Sequence, residues 1–483
     1  MNGQSAKLLA LAVFLAAAKP ILGQVETGVQ FNLSTPGARS LAMGGAFIGF
    51  ADDVTAAYSN PAGLTNLTVG GPEVALETRF WNYSPLYLER GHIGDTQPFG
   101  VGIDTVAGVQ SEEASSKVAG LSFLSLGYVL PRGFTIALYR HQLADYRINS
   151  VSQGFFQISD PEVNPCGEVL PASFEDNAIS PVFNTCRPSP PSRTATDLRI
   201  ANTGLSAAYQ LQLKDDKKNR QSLSVGLGLS YYQMEFSDKL DALYFYPYTG
   251  NAAFDRLPRG FVGPADTLDD NVAWTGRRTG NENTFGINVG LLYHLEPHWS
   301  IGAVFREGPD FRAAEEFVTG PAYERFFRIP RDLVFGQSST SVTVPDFYGI
   351  GVAYSASEGK TKIALDYDLV RYSQRLRELV APLSVSDFKL ADGPEIHLGW
   401  EQVVLSGGQF TGTLRLGVWH EASHEPRYVG GDSRFKTLFP GGKSELHWAG
   451  GVGIVIREDY QIDASLERSD RIDTVSVSLV RFF

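Results

Sequence analysis

The sequence predicts an all-β protein, a fourteen-stranded antiparallel transmembrane β-barrel. Two observations predict it. Segments in which alternate residues are apolar recur from about residue 99 to the C-terminus. The junctions between them are alternately short and long. A stretch dominated by small residues, Gly37–Leu67, precedes them all.

Period two is the signature of a strand with one apolar and one polar face. In Thr361–Tyr372, Ile363, Leu365, Tyr367 and Leu369 share one face, while Ala364, Asp366 and Asp368 share the other. Ile462, Ala464 and Leu466 alternate with Asp463, Ser465 and Glu467, and Val475, Val477 and Leu479 alternate with Thr474, Ser476 and Ser478. Six junctions are short and polar: 130–133, 214–220, 295–298, 357–360, 406–409 and 457–459. The opposite junctions are long, about 149–196, 239–282, 309–345, 374–392 and 422–443. Short turns at one end and long loops at the other are the transmembrane-barrel pattern. Six turns flanked by twelve strands, with one more strand at each end, make fourteen. Glu73–Tyr83 and 99–109 both read as strands, and even parity admits only one of them as the first. Arg481, near the terminal Phe483, falls where a lipid-facing apolar residue is expected. At the interface that costs about 0–1 kcal/mol.

The chain of 483 residues contains fifty glycines, thirty phenylalanines and twenty tyrosines, but two cysteines and three methionines. Such glycine and aromatic usage, with few helix-favouring runs, fits strands. No segment offers the roughly 18 consecutive apolar residues of a membrane-spanning helix. Residues 1–23, with Lys7 ahead of the apolar run Leu8–Ala18 and Gly23 before Gln24, read as a signal peptide. Residues 73–483 then form the barrel, preceded by a segment, 24–72, that reads on its own as a compact, well-packed loop. A net charge of −12 without a basic stripe excludes nucleic acid as a partner. Cys166 and Cys186 share one proline-rich loop. In an exported chain they are expected to form a disulfide, stabilising by about 3 kcal/mol.

The small-residue stretch can be folded tightly inside another structure, where bulky side chains would not fit. Asp52 and Asp53 are placed to cap a short helix over Val54–Tyr58, and Asn60-Pro61 ends it.

At this point the chain resembles the FadL/TodX family, outer-membrane transporters of long-chain fatty acids and other hydrophobic compounds. The resemblance is carried by Asn60-Pro61-Ala62-Gly63 at the end of the small-residue segment, by Val344-Pro345-Asp346-Phe347-Tyr348-Gly349-Ile350-Gly351-Val352 with the strand Ile363–Tyr367, and by the closing strands Tyr460–Phe483. It implies that residues 24–72 are a hatch in the lumen, with capture of a hydrophobic ligand between long extracellular loops, transfer to an internal pocket, and lateral release controlled by the hatch. The expected location is the bacterial outer membrane, the expected partners a hydrophobic small molecule and membrane lipid, and the expected state a monomer without cofactor or metal.

Two loops have the composition of a capture surface. One gathers Phe245, Tyr246 and other aromatics with Arg256 and Arg259; the other gathers Phe311, Phe317, Tyr323, Phe326 and Phe327 with Arg312, Arg325, Arg328 and Arg331. Loops facing water have no need of so many aromatics. Arg325 and Arg328 are the candidates for a ligand carboxylate, which guanidinium binds in a forked geometry. Packing of the loops onto the barrel rim is the competing role for these aromatics.

His420-Glu421-Ala422-Ser423-His424 matches the HExxH pattern of zinc peptidases, which requires a helix to bring both histidines to one face. In an extended strand, residues four apart are about 13 Å apart. The motif is therefore not read as catalytic, and the chain is not read as an enzyme. The Gly450-Gly451-Val452-Gly453 run lies within a strand pattern and is no nucleotide loop. Asp463 and Glu467 fall on the polar face as wall residues. The competing readings of function are an open porin for small polar solutes and a plugged barrel acting as scaffold or shuttle for other outer-membrane proteins.

Overall fold

The computed structural model describes residues 29–67, 71–93, 110–152, 154–158, 186–189, 192–216, 219–243, 269–295, 298–356, 359–380, 384–431 and 433–483. Fourteen strands form the wall: β1 (Pro72–Tyr83), β2 (Ser116–Val129), β3 (Phe134–Ser152), β4 (Ser192–Asp216), β5 (Asn219–Leu243), β6 (Val272–Leu295), β7 (Trp299–Arg306), β8 (Phe347–Ala356), β9 (Thr361–Val370), β10 (Gly393–Gly407), β11 (Phe410–Glu421), β12 (Glu445–Ile456), β13 (Tyr460–Arg468) and β14 (Ile472–Phe482). Each pairs antiparallel with the next, and β14 returns to β1, with Ala75 opposite Val480 and Tyr83 opposite Ile472. This closure decides the first strand. It is β1, which lies between β14 and β2; residues 99–109 lie outside the described residues. The wall strands from β2 on match the alternating segments in number and order, except that β4, β5 and above all β6, which begins at Val272, run further at the long-loop end than the pattern predicts.

Alternation sorts the side chains as a membrane demands. Leu76, Leu124, Leu138, Leu205, Leu227, Ile350, Leu398, Leu416 and Leu466 face outward, whereas Glu77, Ser206, Asp366, His397 and Asp463 are buried on the inner face. An apolar outer band around a polar interior is the inverse of a soluble barrel's arrangement. Arg481 does face outward, and its guanidinium lies 3.9 Å from the Phe483 ring centroid and 5.2 Å from that of Tyr460. It sits at the short-turn edge of the band, among aromatics, where its charge reaches water. Among the described residues no helix is long and apolar enough to cross a membrane.

The wall is far from even in height. β4 and β5 have 25 residues each and β6 has 24, whereas β7 has 8. A tilted strand needs only about 9–11 residues to span the hydrocarbon. The β3–β6 side therefore continues well beyond it at the long-loop end. Much of the expected loops 149–196 and 239–282 is in fact strand, because the alternating pattern continues through polar residues once lipid is left behind. Above β7 the hairpin of Asp310–Thr319 and Val334–Thr343 takes its place beside β6, pairing Thr319 with Trp274. A small four-stranded sheet of Leu86–Ile93, Gln110–Glu113, Gly154–Ile158 and Cys186–Ser189 adds to the same end. Cys166 lies outside the described residues, and so does the side chain of Cys186; the signal-like segment 1–23 does too.

The N-terminal segment is folded into the lumen. It contains two short helices, α1 (Ala38–Ala42) and α2 (Ala56–Ser59), and a 3₁₀ turn, Pro61–Asn66. Asp53 accepts the Thr55 backbone N–H at 2.9 Å in the turn leading into α2, which starts two residues later than expected, with Thr55 at its N-cap and no side-chain cap. Asp52 does not cap; its carboxylate turns away to Arg39 and Lys362.

The interior of the wall is made smooth where the plug backbone touches it. Three facing glycine pairs, Gly226 with Gly290, Gly302 with Gly351 and Gly399 with Gly417, lie under the plug. A Cβ on Gly417 would stand 2.0 Å from Gly44 N, and one on Gly226 would stand 2.2 Å from Ala62 N. Small residues on the plug and glycines on the wall together permit backbone-to-backbone contact at close-packed density.

Candidate functional site: the plugged lumen

The plug is held by two kinds of bond. Wall side chains satisfy its irregular backbone: Asp366 accepts the N–H groups of Phe47 and Ile48 at 2.6 and 2.8 Å, Asn288 donates to Tyr58 O at 2.7 Å, Ser206 to Ala57 O at 2.7 Å and Ser300 to Gly49 O at 2.7 Å. Buried non-repetitive backbone has few ladder partners, so the wall must supply them. The second kind is a chain of alternating charge. Lys362 Nζ lies 2.8 Å from Asp52, and Arg39 binds Asp52 at 2.7 Å and Glu401 at 2.9 Å. Arg415 then joins Glu401 at 2.6 Å to Asp463 at 2.7 Å. Burial alone would raise the Asp52 carboxyl, but Arg39 and Lys362 outweigh it and hold the group well below the usual carboxylate range.

The hatch motif has a structural assignment for each residue. Asn60, fully buried, donates from Nδ2 to Ile48 O and to Leu291 O of β6, both at 3.1 Å, and accepts Ala62 N–H at 3.2 Å. Pro61 opens the 3₁₀ turn, Ala62 rests on Gly226, and a Cβ on Gly63 would collide with Ala51 O at 2.2 Å.

Beyond the plug, towards the long loops, the lumen has two unlike sides. On β3–β8 it is mainly apolar: Leu143, Ile200, Met234, Phe236, Phe311 and Phe347 belong to one buried cluster that also receives Val29, Phe31 and Leu33 of the plug's leading stretch, with Arg306 lying on the Phe347 ring and Arg278 paired to Asp238 as buried charges. On β9–β13 it is charged and aromatic. His397, Trp419 and His447 stack across three neighbouring strands, with ring centroids 5.0 and 3.8 Å apart. Asp368, Glu395, Glu421 and Glu467 flank the stack. A cavity lies between the two sides, bounded by Phe31, Arg79, Phe347, Asp368, His397 and Trp419.

The wall ladder lapses in two places among the described residues. β2 and β3 pair only from Phe123–His141 downward, leaving Ser116–Ser122 without a β3 partner. β6 pairs β7 from Asn288 and the hairpin up to Thr279, leaving 280–287 between them. Both gaps lie at the loop side of the apolar band.

Of the residues expected to capture ligand, Arg325 and Arg328 belong to the helix Pro321–Phe327 and its left-handed C-cap, in the hairpin at the rim, and both side chains are exposed. The side chains of Phe326 and Phe327, and all of Phe245 and Tyr246, lie outside the described residues. Phe311, Phe317 and Tyr323 are buried, with Phe317 packed on Trp274 at 5.9 Å. These three serve packing. The lumenal residues Arg39, Asp52, Lys362, Glu401, His397 and Trp419 were missed as a group. Arg39 and Asp52 belong to the plug, Lys362 to β9, His397 and Glu401 to β10 and Trp419 to β11, and only the plug's position and the register across strands bring them together.

No protein-family model matches the sequence, and no curated protein matches it. Solved structures do match. A Pseudomonas aeruginosa FadL homologue superposes with a TM-score of 0.56 at 13% identity, covering 94% of this chain and 98% of its own. The Ralstonia pickettii toluene transporter TbuX gives 0.51 at 15% identity, covering 94% and 100%. The P. putida toluene transporter TodX gives 0.51 at 13% identity, covering 94% and 99%. The chain has the fold of the FadL/TodX barrels.

Proposed function

We propose that this barrel admits hydrophobic small molecules across the bacterial outer membrane, with its short turns in the periplasm and its long loops outside. The observation that carries the reading is the apolar half of the lumen, which runs from the plug's leading stretch to Phe311 at the base of the rim hairpin. A water-filled porin has no use for such a lining. An acyl or aromatic molecule gains about 0.8 kcal/mol for each CH₂ buried there. The structures that share the fold include proteins described as toluene transporters, which supports the same class of cargo.

The scheme has three stages. A ligand is taken up at the rim, where Arg325 and Arg328 are the candidates for meeting a fatty-acid carboxylate. It enters the lumen beside Phe31 and Phe347. Displacement of the plug's leading stretch then opens a way out, and the two lapses in the wall ladder are the places where an apolar molecule can leave sideways into lipid without crossing an intact ladder.

The test is uptake by cells carrying or lacking the protein, using a labelled long-chain fatty acid and a labelled monoaromatic hydrocarbon, with ion conductance recorded in parallel. Uptake of at least one cargo should rise with the protein present while conductance stays low. Unchanged uptake of both would sink the proposal, and large steady conductance would favour a porin.

A further inference from the structure

We propose that Glu421, His424, His447 and Glu445 form a binding site for a divalent transition-metal ion of the Zn²⁺ class at the long-loop end of the lumen. Glu421 ends β11 opposite Glu445 of β12, and His447, two residues further along β12 and opposite Trp419, points to the same inner face; Glu421 and His447 are both buried. His447 Nε2 is 3.1 Å from Glu421 Oε2. Two ligands bound to one tetrahedral zinc at about 2.1 Å lie about 3.4 Å apart, so this spacing admits an ion with little rearrangement. Glu421, Glu445 and His447 each offer a ligand atom within 4.8 Å of the others.

The outer contacts are those of a metal-binding histidine. His447 Nδ1 faces Glu467 Oε1 at 3.2 Å, and Glu467 is itself fixed by the Trp419 indole N–H at 2.7 Å. A carboxylate behind one ring nitrogen orients the imidazole and leaves the other nitrogen as the donor to metal. His424 stands outside that group of three and joins it only if its side chain shifts. Its Nδ1 is 3.6 Å from Glu421 Oε1 and has no hydrogen-bond partner among the described residues, while its ring is stacked on Tyr372 at 5.0 Å. Two imidazoles with two carboxylates suit zinc, nickel or copper better than calcium or magnesium. Glu445 is the weakest donor, because Arg471 holds its Oε1 at 3.2 Å and Ser469 donates to its Oε2 at 2.9 Å.

The HExxH pattern thus acquires a meaning unlike the peptidase one. His420 points to the opposite face of β11, but the chain turns back after Glu421, so the glutamate and the second histidine converge with a histidine of the next strand. The site also touches the plug. Gln30 donates to Glu421 Oε1 at 2.5 Å, so an ion drawing on that carboxylate competes with the plug's leading stretch for it.

The experiment uses the purified full chain in detergent, without a histidine tag and stripped with chelator. ZnCl₂ is titrated by calorimetry, and CuCl₂ by quenching of tryptophan fluorescence. One ion per chain is expected, with quenching that is lost in Trp419→Phe, whose calorimetric binding is weakened but saturable because Glu467 loses the indole N–H. Glu467→Gln, which removes the contact behind His447, should weaken binding about 10–100-fold; His447→Gln and Glu421→Gln, which remove ligands, should weaken it more, and His420→Gln not at all. Far-UV circular dichroism establishes that each variant keeps its barrel. The proposal is overturned if the unmutated chain shows no saturable zinc binding, which would leave His447 as a plain ion-pair partner of Glu421 and Glu467. It is equally overturned if folded His447→Gln binds as the parent does, or if His420→Gln is as damaging.

Discussion

Arg39 is the residue on which the plug's attachment converges, since it bridges Asp52 of its own segment to Glu401 of the wall. Removing one partner of a buried pair leaves the other charge uncompensated, at a cost on the order of 3 kcal/mol. Arg39→Ala is therefore expected to loosen the plug, read as raised single-channel conductance with an unchanged barrel circular dichroism spectrum. A closed, ion-tight variant would show that the charge chain is incidental. The sign of the pH effect follows from Asp52. Its folded value is depressed, so its pairing contributes fully above the unfolded carboxylate value of about 4 and is lost only as pH falls through the lower folded value. Conductance should stay low from pH 7 to pH 5, and opening within that range would assign the latch to another group. Gly417 is a second point of leverage. Gly417→Val places side-chain atoms where Gly44 now lies, and the expected result is a leaky barrel of normal heat stability.

At the scale of elements, the wall strands were readable because lipid on one side and water or plug on the other impose an uninterrupted period of two. Their upper ends were not readable as strand beyond the membrane, where β4–β6 carry polar residues on both faces and resemble loop. The first strand needed pairing rather than pattern: Glu73–Tyr83 and 99–109 alternate alike, and only the ladder to β14 separates them. The plug was readable from its small residues, whereas the matching wall glycines acquire meaning only in register with it. Deleting 37–67 removes every contact those glycines serve and should leave an open lumen, detected as a large rise in conductance. An ion-tight deletion would place the seal elsewhere. The rim helix is testable separately. Arg325→Ala with Arg328→Ala is expected to weaken binding of a fatty-acid anion about tenfold, the loss of a charge-assisted pair, while leaving an uncharged aromatic ligand unaffected. Equal binding of the anion by parent and variant would remove these two residues from the capture site.

For the whole molecule, the asymmetry of the lumen decides what should pass. The apolar side on β3–β8 accepts any molecule of low polarity, but the facing side presents Asp368, Glu395, Glu421 and Glu467 around the His397–Trp419–His447 stack. This division could not be read from one strand at a time, because each strand contributes only one or two such groups, Glu395 and His397 on β10 or Trp419 and Glu421 on β11, and each looks like an ordinary polar wall position. Asp368 is matched to His397 at 3.3 Å, and Glu421 and Glu467 to His447 at 3.1 and 3.2 Å. A carboxylate entering the cavity thus finds both imidazoles already engaged by anions in a region shielded from water, where repulsion is stronger than in bulk solvent. Uncharged hydrophobic molecules are therefore expected to cross faster than fatty-acid anions of similar apolar area. The comparison is made with a fatty acid and its methyl ester, which differ only in the head group. Vesicles containing the purified barrel should take up the ester several-fold faster relative to protein-free vesicles, and the Asp368→Asn, Glu395→Gln variant should narrow the difference. Faster entry of the anion in the unmutated barrel would mean that Arg79, the guanidinium facing the same cavity, governs the path, and the charge preference would then run the other way.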